Sequence, residues 1–69
     1  MDKPRVLIVD DDRIILDSLS EFLTIEGYET VSADSYKSAV GELKKFTFSL
    51  VLTDVNLPDG GGMELLEYV

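Results

Sequence analysis

The sequence predicts an α/β protein built on a parallel sheet. Short apolar runs alternate with helical repeats in the order β-α-β-α-β-loop-α, the alternation that favours parallel strands joined by right-handed crossovers. Two of the runs, residues 6–9 and 48–52, are apolar throughout save for Ser49, rather than alternating, as strands covered on both faces are. Both are followed by aspartate.

Residues 6–9 (Val-Leu-Ile-Val) form the first predicted strand, which stops at Asp10. Asp10, Asp11 and Asp12 offer carboxylate acceptors to the free amides of a helix start. Ile15, Leu19, Phe22 and Leu23 then recur at i, i+4, i+7 and i+8, which predicts a helix with these four side chains turned inward. Glu26-Gly27 ends it, Gly27 being suited to the left-handed position after the last turn. Residues 28–33 are β-rich but half polar and predict an edge strand. Asp34 or Ser35 caps a second helix with Ala39, Val40 and Leu43 inside. Gly41 weakens that helix by about 1 kcal/mol relative to alanine. Residues 48–52 are the second strand of fully buried type, with Asp54 just beyond. Residues 56–62 (Asn-Leu-Pro-Asp-Gly-Gly-Gly) read as a loop. From Met63 a helical pattern resumes with Leu65, Leu66 and Val69 on one side. Phe22, Phe46 and Phe48 are core candidates. The strand at 48–52 reads as central yet is left as an edge, and the last helix reaches Val69 uncapped. Both predict that these residues are the N-terminal part of a longer domain.

Composition narrows the chemistry. The chain has 69 residues, enough for one small domain. It has no cysteine and no histidine, which removes disulfides, thiolate-bound zinc and imidazole chemistry. Fourteen acidic residues against six basic give a net charge of −8, which disfavours direct contact with nucleic acid or anionic membranes. Its apolar runs are too short for a signal peptide or a membrane span, so a cytoplasmic location is expected.

The two strand ends point to a site. In open parallel sheets ligands bind beyond the carboxyl ends of the strands, where the strand order reverses. If the first and third strands are neighbours, in the order 2-1-3, then Asp10, Asp11, Asp12 and Asp54 converge there. Carboxylates gathered so closely repel one another, and a divalent cation resolves the conflict. A donor set of oxygen alone points to Mg²⁺, with Mn²⁺ or Ca²⁺ as substitutes. A carboxylate beside such an ion can attack a phosphoryl group to give an aspartyl phosphate. Taken singly, each aspartate has a plainer reading, as a helix cap or a turn residue. Two buried-type strands ending alike favour the site.

The residues also match a known family. The runs Val6-Leu7-Ile8-Val9-Asp10-Asp11-Asp12, Asp54-Val55-Asn56-Leu57-Pro58 and Gly62-Met63-Glu64-Leu65-Leu66 resemble the receiver domain of bacterial two-component response regulators, over the first half or so of such a domain. The local sequence looks closest to receivers of the nitrogen-regulator class. The resemblance implies a flavodoxin-like (CheY-like) sheet of order 2-1-3, with the remaining strands missing from residues 1–69. It implies that Asp54 accepts phosphate from the phosphohistidine of a sensor histidine kinase. It further implies that Asp11 binds Mg²⁺ directly, Asp10 through water, and the backbone carbonyl of Asn56 as a further ligand. It implies phosphorelay signalling to a downstream effector domain that controls transcription, in the cytoplasm, with homodimerisation left open. Two departures stand out. Gly60 and Gly61 occupy positions where the family commonly has Met and Asp. The switch hydroxyl, lysine and aromatic residue have no counterparts within the 69 residues.

Two other readings remain open. One is a degenerate receiver used only for protein–protein interaction. The other rests on Asp10-x-Asp12, which is similar to the haloacid-dehalogenase phosphatases and would make Asp10 the nucleophile. It leaves Asp54-x-x-x-Pro58 without a role.

Overall fold

The computed structural model describes residues 3–54, 56–57 and 60–61. The order is β1 (Arg5–Val9), α1 (Arg13–Ile25), β2 (Glu29–Ala33), α2 (Tyr36–Lys45), β3 (Leu50–Thr53), β4 (Asn56–Leu57) and β5 (Gly60–Gly61). The helix expected from Met63, together with Pro58 and Gly62, lies outside the described residues.

Three strands form a parallel sheet in the order β2-β1-β3, as expected. Val6, Leu7, Ile8 and Val9 are at most 1% exposed, so β1 is central and covered on both faces. Because side chains alternate along a strand, β1 feeds two cores. Leu7 and Val9 join Ala33, Ala39 and Leu57 on the α2 side, with Val40, Leu43, Phe48 and Val51 packed around them. Val6 and Ile8 join Leu16 on the α1 side, with Leu19, Leu23 and Leu52. Ser20 meets β2 there through a 2.8 Å hydroxyl contact with Thr30.

That second core corrects the predicted face of α1. Leu16, Leu19 and Leu23 point inward, whereas Ile15 is 41% and Phe22 is 59% exposed. The stripe runs i, i+3, i+7 from Leu16, rotated from the one predicted. Phe46 is also exposed, and its ring lies under the Arg5 guanidinium at 4.7 Å and edge-on to Phe48 at 6.3 Å. Arg5 also pairs with Glu29 at 3.4 Å, tying β1 to β2 at the rim away from Asp10. β3 begins at Leu50, later than the predicted strand; Phe48 packs against the α2-side core, and the Ser49 N–H donates to the Arg5 carbonyl at 2.8 Å just before the strand. Within the predicted loop, β4 and β5 pair antiparallel, Asn56 with Gly61 and Leu57 with Gly60, and Leu57 is buried.

The helix ends follow local chemistry. Asp12 caps α1 and Ser35 caps α2. At the end of α1 the Gly27 N–H donates to the Thr24 carbonyl and the Tyr28 N–H to the Leu23 carbonyl, a Schellman turn. It places Gly27 at φ +97°. Gly27→Ala is therefore expected to cost about 1 kcal/mol, since a Cβ is strained in that region even with open space around it. Gly41, inside α2 and also with space for a Cβ, is expected to behave oppositely. Gly41→Ala should stabilise by about 1 kcal/mol. Urea midpoints of the two variants, measured together, check both signs.

Candidate functional site

The acidic residues are placed by the sheet. Val9 and Thr53 are partners in the last described β1–β3 pair. One residue on, the Asp54 N–H donates to the Val9 carbonyl at 2.9 Å, and the Asp10 N–H donates to the Ala33 carbonyl at 3.1 Å. The backbone thus delivers Asp10 and Asp54 side by side at the carboxyl edge, where the order reverses around β1. Asp11 follows on the exposed turn into α1. One carboxylate oxygen from each of Asp10, Asp11 and Asp54 lies within 4.8 Å of the other two.

Hydrogen bonds order this turn. Asp10 Oδ1 accepts from the Asp12 N–H at 3.0 Å. Asp12 Oδ1 accepts from the N–H groups of Ile14 at 2.9 Å and Ile15 at 3.4 Å. Asp12 therefore serves the helix and stands outside the triad. Beside Asp10 and Asp54 opens a cleft of about 320 Å³, lined also by Ile8, Val9, Leu19, Leu52 and Thr53. The Thr53 hydroxyl donates to the Asp54 carbonyl at 3.0 Å.

The donor set fits a small hard cation. It is oxygen only, as Mg²⁺ prefers. Oxygens on opposite sides of an octahedral Mg²⁺ stand about 4.2 Å apart, twice the bond length, so a triad spanning 4.8 Å needs little closure to hold one. Of the residues predicted for the site, Asp10, Asp11 and Asp54 come together, and Asn56 begins β4 two residues past Asp54. Sequence reasoning passed over the clamp from Asp12 to Asp10. Its signal was present, because Asp-x-Asp after a strand is a pattern in which a side chain accepts from the backbone two residues on. The cleft wall from Leu19 and Leu52 was read only as core.

An open parallel sheet of order β2-β1-β3 with helices packed on it defines a flavodoxin-like domain, here with an acidic cluster where the strand order reverses. Comparison with known proteins makes the assignment specific. Residues 6–69 match the family model of the response regulator receiver domain. The response regulator protein FleR of Pseudomonas aeruginosa is 44% identical over 62 residues, which are 90% of this chain and 13% of FleR. The chemotaxis response regulator CheY4 of Vibrio cholerae superposes with a TM-score of 0.93 at 32% identity, covering 99% of this chain and 57% of CheY4. The response regulator TrrA of Thermotoga maritima, solved in complex with Mg²⁺ and BeF, gives 0.87 at 33% identity, covering 93% of this chain and 56% of that one. The chain belongs to the response regulator receiver family of two-component systems. Receivers are signalling domains rather than enzymes in the usual sense. The chain spans about half of the solved receivers and a small part of FleR. Among the described residues no helix is long and apolar enough to cross a membrane.

Proposed function

We propose that Asp54 accepts a phosphoryl group from the phosphohistidine of a sensor histidine kinase, at a Mg²⁺ site formed by Asp10, Asp11, Asp54 and the backbone carbonyl of Asn56. The observation that supports this most is the meeting of carboxylates from β1 and β3 within 4.8 Å. In the transfer an oxygen of Asp54 bonds to phosphorus while the phosphorus–nitrogen bond to the donor imidazole breaks. The electron pair and a proton from solvent go to the imidazole. A bound Mg²⁺ offsets charge on the transferring oxygens. By the family resemblance Asp11, exposed on the turn, would hold the ion directly, and Asp10, which accepts from the Asp12 N–H, would hold it through water. The cleft beside Asp54 leaves room for the incoming phosphorus.

In the same proposal residues 1–69 are the N-terminal part of a cytoplasmic receiver whose output passes to a downstream effector controlling transcription. Supporting this are the small share of FleR that the chain matches and a 32% identical relative, the phosphate regulon transcriptional regulatory protein PhoB of Escherichia coli. Acetyl phosphate with Mg²⁺ tests the acceptor. Intact mass should rise by one phosphoryl group in the full chain, and not after chelation or in Asp54→Asn. Equal labelling of Asp54→Asn would refute the assignment. No labelling of the unaltered chain would favour a receiver used only for interaction.

A further inference from the structure

Asp12 lies outside the acidic triad, yet its hydrogen bonds join that triad to a helix. Its side chain caps α1, Oδ1 accepting from the N–H groups of Ile14 and Ile15. Its own N–H is donated to Asp10 Oδ1 at 3.0 Å. The cap adopts an extended backbone, φ −91° and ψ 110°. One residue therefore grips the first turn of α1 with its side chain and a triad carboxylate with its backbone. A carboxylate oxygen tied to an N–H fixes the plane of its group, and so fixes where the second oxygen lies.

We infer that Asp12 is a positioning residue: by capping α1 it holds the N–H that orients Asp10, and thereby raises the affinity of the triad for a divalent cation. This rests on the Mg²⁺ reading above. The competing account is that Asp12 acts only through its charge. Asp12→Asn and Asp12→Ala remove the same charge, but asparagine caps a helix as well as aspartate and alanine does not. Comparing the two variants isolates the cap.

The test uses the full chain, Mg²⁺ titration calorimetry, and amide hydrogen exchange without metal. Asp12→Ala should bind Mg²⁺ about fivefold more weakly than Asp12→Asn, the worth of a typical cap converted at tenfold per 1.4 kcal/mol. Its residue-12 amide should exchange faster than in Asp12→Asn, along with those of Ile14 and Ile15. Ser35→Ala, which removes the α2 cap, controls for stability: it should lower the unfolding midpoint and leave Mg²⁺ affinity unchanged. Equal affinities for Asp12→Asn and Asp12→Ala, or a matching loss in Ser35→Ala, would overturn the inference. If the unaltered chain binds no Mg²⁺, the functional reading fails separately, and the metal-free exchange of the residue-12 amide decides the positioning claim. Should Asp12→Ala not fold, Asp12→Gly, which lacks the acceptor but is tolerated at caps, should show the same ordering with a smaller step.

Discussion

Mg²⁺ is expected to raise the thermal midpoint of the full chain by about 10–20 °C at one hundred times its dissociation constant. A ligand that binds only the folded state adds about 2.7 kcal/mol at that concentration, and each kcal/mol moves the midpoint of a domain this size by about 4–8 °C. The gain arises because the folded chain gathers the carboxylates of Asp10, Asp11 and Asp54 within 4.8 Å, whereas in the unfolded chain Asp54 lies far from the other two. Asp11→Asn keeps the shape of the side chain and removes one anionic ligand, so most of the rise should vanish. Scanning calorimetry of both proteins with Mg²⁺ and with a chelator checks this, and an Asp11→Asn chain that gains as much would remove Asp11 from the ion.

The second large effect is in the core. Ile8 is 1% exposed and packs with Val6 and Leu16 between β1 and α1. Ile8→Ala should cost about 2–5 kcal/mol through lost burial and a residual cavity. A chain of this length holds only about 3–10 kcal/mol in total, so the variant should lose about half of its stability and its unfolding midpoint should fall accordingly. Ile14 has the same side chain but is 76% exposed, and Ile14→Ala should stay within about 0.5 kcal/mol. Far-UV circular dichroism during urea unfolding separates the two.

The contrast between these isoleucines shows where the sequence was legible. β1 was readable because four consecutive apolar residues admit no solvent face, and the strand order followed from the family resemblance. The end of α1 was readable because Gly27 is the residue a Schellman turn favours. The buried face of α1 was not. Ile14, Ile15 and Leu16 are consecutive and all apolar, so more than one helical stripe can be drawn through them. What selects Leu16 lies outside the helix: Val6 and Ile8 on the floor, and Thr30 on β2 in hydroxyl contact with Ser20. The pairing of Asn56–Leu57 with Gly60–Gly61 left no side-chain pattern, since two of its residues are glycine. Phe46 was misjudged as core because what covers its ring is the Arg5 guanidinium from the start of β1, a partner distant in sequence. The site was the most legible part. Its carboxylates sit where strands stop, and the parallel register that brings Val9 beside Thr53 brings Asp10 beside Asp54.

The most direct test of the phosphoryl-acceptor reading is the position of the modified residue. The full chain, phosphorylated by acetyl phosphate with Mg²⁺, is reduced with borohydride to fix the acyl phosphate as an alcohol and mapped by peptide mass spectrometry. The account predicts the reduced residue at position 54 alone. Reduction at position 10, with 54 untouched, would contradict it and put the nucleophile on the first strand.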